Sequence, residues 1–278
     1  MRILIFGELT STNSYLKSKF AELSDSSDYS DSRDNSDCSE PFLMVAARSQ
    51  TAGRGQRGNS WESAPGENLT VSVAFVPDGV APRDQFRISE AVALAVCDFL
   101  ANVGVEAKVK WPNDIYVGDR KICGILIENS LESGRISRSI AGVGININQT
   151  CFSPSIPNPT SVQLLTGLSH DIPSLLPILA DCLESRLLTL SDGSDKSGLS
   201  LLHSEFKSRC WRFDGEFHPF RRRQDNVSPV AIHAADEIAA GETFRARIAD
   251  ILPSGPIILE LEDGRKEEFA FKQIEFLL

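Results

Sequence analysis

The sequence predicts an α+β protein, a mixed β-sheet packed with helices, followed by a small C-terminal β-barrel. Three observations predict it. Short apolar runs recur through the first 150 positions between polar islands, as buried strands do. Two longer stretches, 84–103 and 171–187, place apolar residues at helical spacing. Beyond residue 206 the pattern turns to short alternating runs separated by SG and DG turns. The boundary falls near residue 212, giving a large unit over 1–212 and a small one over 213–278.

The first strand is 3–6, and Ser11 or Thr12 caps a short helix carrying Tyr15, Leu16 and Phe20. Positions 21–40, with seven serines and five aspartates, are too polar to pack and read as a flexible acidic insert. Strands follow at 42–47 and 69–76, then the helix 84–103 with Phe86, Ile88, Ala91, Ala95, Val96, Phe99 and Leu100 on its buried face. A strand at 105–110 leads into a hairpin of 115–117 and 122–127, and 140–147 completes the sheet. Thr160 caps one short helix and Asp171 a longer one bearing Leu175, Leu176, Leu179, Leu183 and Leu187, while 199–206 is a third. The terminal strands are 213–220, 230–232, 243–251, 256–261 and 268–276.

Composition narrows the function. A net charge of -10 argues against wholesale nucleic-acid binding, and the one dense basic run, 221–223, is short. No stretch reaches the roughly 20 apolar residues a membrane span needs. The six cysteines form no CxxC pair, and several sit in apolar runs, which fits free thiols in a reducing compartment and places the protein in the cytoplasm. The four histidines lack metal-site spacing. In the AGVGININ stretch at 141–148, Gly142 and Gly144 permit close approach of a ligand, but there is neither the GxGxxG pattern nor a following helix, and no serine lies in a GxSxG elbow.

Three polar islands carry the chemistry. Residues 50–68 hold glycines 53, 55, 58 and 66 with Arg54 and Arg57. Glycine lets the backbone approach a ligand, and arginine forks bracket a carboxylate or phosphate. Trp61 beside them is a core residue or a stacking lid. The second island, 110–121, contains Asn113, Asp114 and Lys121; the lysine is an edge gatekeeper or a cation for a transferring phosphoryl or adenylyl group. The third is the hydroxyl-rich 10–13. Together they support a phosphate-handling enzyme without naming its substrate.

TSTN at 10–13, QTAGRGQRGNSW at 50–61, KWPND at 110–114, RKICGILIEN at 120–129 and GVGININ at 142–148 resemble, in order and spacing, the biotin protein ligases or holocarboxylase synthetases. The resemblance covers almost the whole chain outside the acidic insert. It implies a class II aminoacyl-tRNA synthetase-like, biotin/lipoate ligase-like catalytic fold with an SH3-like C-terminal barrel. The implied reaction joins biotin to ATP as biotinyl-AMP, then transfers biotin to a lysine of a biotin carboxyl carrier protein, with Mg2+ offsetting the triphosphate charge. By position, Ser11, Thr12 and Gln50 would bond the ureido ring, Gly53 and Gly124 line its pocket, and Arg54 close over the ligand. Lys121 would sit between the biotin carboxylate and the α-phosphate. Asn113 and Asp114 would hold the nucleotide and magnesium, Trp61 pack on adenine, Asn146 contact the nucleotide and Arg57 add charge.

Two departures accompany the resemblance. Many members read GRGRRGRxW, whereas Gln56 and Asn59 stand here where arginines are frequent. Some members begin with a DNA-binding winged helix, whereas TSTN starts at residue 10, so no DNA partner is expected. The expected assembly is a monomer or homodimer. A lipoate or related acyl ligase on the same scaffold and a non-catalytic biotin-binding module are the rival readings.

Overall fold

The computed structural model describes residues 1–25, 41–190, 196–223 and 241–278. A seven-stranded sheet runs, edge to edge, through β1 (Arg2–Leu9), β2 (Phe42–Gln50), β3 (Leu69–Phe75), β7 (Arg135–Ile145), β6 (Arg120–Glu132), β5 (Asp114–Val117) and β4 (Lys108–Lys110). β1 and β2 pair in parallel, with α1 (Thr12–Asp25) lying between them in sequence, and every other pairing is antiparallel. The sheet is mixed, as the sequence predicts.

Side chains alternate across a strand, so β3 sends Val71, Val73 and Phe75 into the main core and Thr70, Ser72 and Ala74 to the opposite face. On the core side lies α2 (Phe86–Asn102), flanked by α4 (Ile172–Leu188) and α5 (Lys196–Ser208). These outer helices explain why α2 is buried on more than its expected stripe, Ala93 and Leu94 included. Each large apolar side chain so buried contributes about 1.5–3 kcal/mol. On the other face Leu16 of α1 packs with Leu43, Val45, Ala74 and Ile140. What α1 leaves uncovered becomes the floor of a cavity.

Several expectations need adjustment. α1 continues through Asp25, so residues 21–25 of the acidic stretch are helical; 26–40 lie outside the described residues. Alternating runs on both sides of a Ser133–Gly134 turn extend β6 and β7 beyond their predicted ends. Ser161, rather than Thr160, caps α3 (Val162–Thr166), accepting from the Leu164 amide at 3.2 Å. Asp171 caps α4 as predicted.

The C-terminal unit is an antiparallel sheet in the order β11 (Lys266–Phe269), β10 (Ile257–Leu261), β9 (Thr243–Ile251), β8 (His218–Arg222) and β12 (Ile274–Phe276). Among the described residues no pairing joins β11 to β12, so the expected barrel is an open sheet there. The strand foreseen over 268–276 divides in two, where the Ala270 amide bonds the Gln273 side chain. The strand foreseen at 230–232 lies outside the described residues. This sheet docks on the KWPND turn: Trp111 Nε1 donates to the Gly255 carbonyl at 2.9 Å, and its ring meets Phe271 and Phe276.

Candidate active site

A cavity of about 940 Å3 lies over the uncovered face of the sheet, between α1, the glycine loop, the KWPND turn and the end of the C-terminal sheet. Its floor is made by even-numbered positions of β6 and β7, which share a face because side chains alternate. Register pairs Leu126 with Gly142 and Gly124 with Gly144, so two successive rows of the ladder form a trough.

Each glycine of the trough makes room for a protein side chain. A Cβ on Gly142 would stand 2.3 Å from Asn13 Oδ1; one on Gly144 would stand 2.3 Å from Trp61 Cε2, and one on Gly124 3.0 Å from Trp61 Cζ3. Asn13 thus lies over the first row and the Trp61 indole over the second. The close approach that the sequence assigns to a ligand at Gly142 and Gly144 is an approach of these two side chains. Trp61 Nε1 is buried without a hydrogen-bond partner.

At the α1 end, polar groups are buried and cross-linked. Ser11, Thr12, Asn13 and Ser72 are at most 4% exposed. Gln50 Oε1 accepts from the Thr12 amide at 2.8 Å and lies 3.3 Å from its hydroxyl. Ser72 Oγ stands 2.6 Å from Thr12 Oγ1 and 2.5 Å from Asn13 Oδ1. Asn13 Nδ2 donates to Glu128 Oε2 at 2.9 Å, and Glu128 also receives both terminal nitrogens of Arg54, at 3.1 and 3.2 Å. Burial of so many polar groups is tolerated because they satisfy one another.

The glycine loop folds back on itself. Trp61 N donates to Gly53 O at 2.9 Å, Gly55 N to Asn59 O at 2.7 Å, and Arg54 bridges Ser60. The tip is the short 3-10 turn Gln56–Gly58, where Arg57 sits and Gly58 takes φ 85°. Gly53 does not reach the main cavity; its position leaves no room for a Cβ beside the Trp61 carbonyl, and it lines a smaller cavity of about 630 Å3 on the loop's other side.

At the opposite end, Lys121 Nζ is 2.7 Å from Asp114 Oδ1 and 5.9 Å from the centre of a Trp61 ring. Its backbone is clamped by Asn158 and Thr160, at 2.8 and 2.9 Å. The lysine therefore opens β6 as predicted, and its head faces the cavity. Lys110 points into an aromatic group, 2.9 Å from Tyr116 Oη, and burial pushes its pKa down despite the opposing charge of Asp114. Asn113 and Asn146 are committed to the fold: their amides donate to the carbonyls of Ile125 at 2.6 Å and Thr160 at 2.9 Å. Asp114, beside Lys121, is a carboxylate that suits a nucleotide-borne magnesium, which takes one or two carboxylates and fills its other positions with phosphate and water; Glu62 and Glu275 also line the cavity. Among the described residues, no group of three His, Cys, Asp or Glu is placed to hold a metal by itself.

The structure therefore brings Ser11, Thr12, Gln50, Arg54, Trp61, Asn113, Asp114, Lys121, Gly124 and Asn146 to one cavity and leaves Gly53 outside it. Sequence reasoning assigned no role to Asn13, Ser72, Glu128 or Lys110. Ser72 in LTVSVAF is a small polar residue in an apolar strand, and Glu128 closes the apolar run ILIE; those were the available signals.

Comparison with known proteins places this geometry. The family model described as "Biotin/lipoate A/B protein ligase family" matches residues 20–146. The bifunctional ligase/repressor BirA of Bacillus spizizenii is 34% identical over 158 residues, which are 55% of this chain and 47% of that protein. The biotin-[acetyl-CoA-carboxylase] ligase of Paracoccus denitrificans is 33% identical over 143 residues, 49% of this chain and 59% of that protein. The chain spans about half the length of the curated relatives it matches. A biotin protein ligase from Aquifex aeolicus, solved in complex with biotin and ATP, shares the fold with a TM-score of 0.69 at 18% identity, over 99% of this chain and 97% of that one. With these matches and the five ordered motifs, the chain is similar to the biotin/lipoate A/B protein ligases, and to the biotin protein ligases among them.

Proposed function

We propose that this chain is a biotin protein ligase, which condenses biotin with ATP to biotinyl-AMP and transfers the biotinyl group to a lysine of a biotin carboxyl carrier protein or domain. One observation carries the choice of acid: Gln50 and Thr12 stand fixed at the buried end of a cavity whose other end holds Lys121. A cyclic urea has N–H donors and a carbonyl acceptor to match amide and hydroxyl partners. The dithiolane ring of lipoate has neither, which disfavours the lipoate reading.

In the first step a biotin carboxylate oxygen bonds to the α-phosphorus and pyrophosphate leaves. Lys121 brings the two anions together and stabilises the charge developing between them. In the second step the neutral amine of the carrier lysine attacks the acyl carbon and AMP departs. Ser11, Thr12 and Gln50 bind the ring, while Gly124 lines the cavity beneath Trp61. Arg54 and Arg57 belong to the loop that closes over the adenylate, Trp61 offers its outer face to adenine, and Asn113 and Asn146 shape the nucleotide wall. Asp114 would hold a magnesium ion carried by the nucleotide, which would offset the triphosphate charge.

The outer edge of β1, where Ile5 is 61% exposed, supports strand addition by the carrier. No described helix is long and apolar enough to cross a membrane, and the buried free thiols Cys97, Cys123 and Cys210 support a cytoplasmic setting. The test supplies labelled biotin, ATP, magnesium and a carrier domain. Covalent label on the carrier is expected; ATP-independent biotin binding without transfer would leave only a binding module.

A further inference from the structure

We infer that Glu128 is a positioning residue that fixes the hydrogen-bond polarity of the acid-binding end, acting through Asn13 and Ser72 on Thr12. The inference rests on the biotin reading above.

Asn13 Nδ2 faces Glu128 Oε2 at 2.9 Å and the Leu126 carbonyl at 3.4 Å. A carboxylate and a backbone carbonyl only accept, so the side-chain amide is held with its nitrogen toward them and its oxygen toward Ser72. Asn13 Oδ1 must then accept, and Ser72, 2.5 Å away, must donate to it. The serine hydroxyl has one proton, so its 2.6 Å contact with Thr12 Oγ1 is made by the threonine proton. The alternative target for that proton, Gln50 Oε1 at 3.3 Å, also lies within the protein, so in either case Thr12 turns only lone pairs to the cavity.

Gln50 is set independently. Its Oε1 accepts the Thr12 amide proton, which leaves Nε2 as its free group. The end of the cavity therefore presents an acceptor and a donor side by side, complementary to the N–H and C=O of a cyclic urea. The same Glu128 carboxylate takes both arms of Arg54, with Lys17 4.0 Å from it. One acid on β6 thus holds both the ring-recognition network and the arm of the glycine loop.

Glu128→Gln keeps size and shape but gives the position two donor protons, which frees the Asn13 amide to invert and undoes the order of donors behind it. The experiment measures biotin and ATP affinity separately by calorimetry for wild type, Glu128→Gln, Ser72→Ala and the double variant, with a thermal melt of each. The expected result is a tenfold or larger loss of biotin affinity in each single variant, ATP affinity within twofold, and no further loss in the double variant because the two residues lie on one relay. Ser72→Ala keeps the test open should the Glu128 variant melt early. Unchanged biotin affinity in the single variants, or losses that multiply in the double one, would overturn the relay alone. Wild-type protein that binds no biotin would overturn the reading on which the relay rests.

Discussion

The two ends of the cavity are built on opposite plans. The α1 end is a set of neutral hydrogen bonds among buried Thr12, Asn13 and Ser72 and half-buried Gln50, anchored on Glu128. The far end is a partly solvated ion pair, Lys121 with Asp114, whose side chains are 29% and 25% exposed. Desolvated hydrogen bonds with fixed direction suit recognition, because a wrong partner leaves a buried group unpaired. A charge that keeps contact with water can exchange partners as a substrate arrives, which suits chemistry.

The largest test of this contrast is Lys121→Ala. Pyrophosphate exchange should fall by about 10²–10³-fold, the usual effect of removing one electrostatic stabiliser. Biotin affinity should fall far less, as calorimetry would show; comparable losses in both would mean that the two ends are not separable.

Next comes Gly142→Ala, which places a methyl against Asn13 Oδ1 at the recognition end. Overpacking of this kind costs about 1–3 kcal/mol, and here it also breaks the Asn13–Ser72 contact. Melting temperature and biotin affinity should drop together. Retention of biotin affinity would show that the network is scaffolding only.

Away from the cavity, Asp98 serves as a control for the fold. Burial pushes its pKa up, but hydrogen bonds from Arg186 and Arg209 outweigh that and hold it below the ordinary value. A depressed carboxylate stabilises the fold above its unfolded pKa, and that stability is lost as pH falls through the folded value. Asp98→Asn should cost about 1.5–3 kcal/mol near neutrality and flatten the acid side of the stability profile, followed by urea titration between pH 3 and 7. A parallel acid limb in the variant would assign acid sensitivity elsewhere.

The smallest expected effect is Gln56→Ala. Gln56 sits on the loop's 3-10 turn and carries no charge to stabilise a phosphate, so adenylate formation should change much less than in Lys121→Ala. Equal losses in a pyrophosphate-release assay would refute that ranking.

Much of this was legible in the sequence. Apolar runs located every strand of the main sheet, and the polar islands at their ends converged on one cavity because strand ends lie together at one side of a sheet. Lys121 was readable as a cation introducing a buried strand. Ser72 and Glu128 were not, because their partners lie 59 and 115 positions away from them or their network and only tertiary pairing brings the groups within reach. The glycines of β7 were recognised as close-approach sites, but a sequence does not say what approaches: Asn13 and Trp61 do. The C-terminal strands were located by their turns, while closure into a barrel depends on the relation between β11 and β12, which no local pattern encodes.

The distribution of the three tryptophans has a practical consequence. Trp111 and Trp211 are 3% and 5% exposed and both pack on Phe276, where the two sheets meet, while Trp61 rests on the glycine trough inside the cavity. Replacing the first two by phenylalanine would leave a protein whose tryptophan emission comes from the cavity alone. Its colour and quenching would then follow occupancy of the site in real time, without an added label.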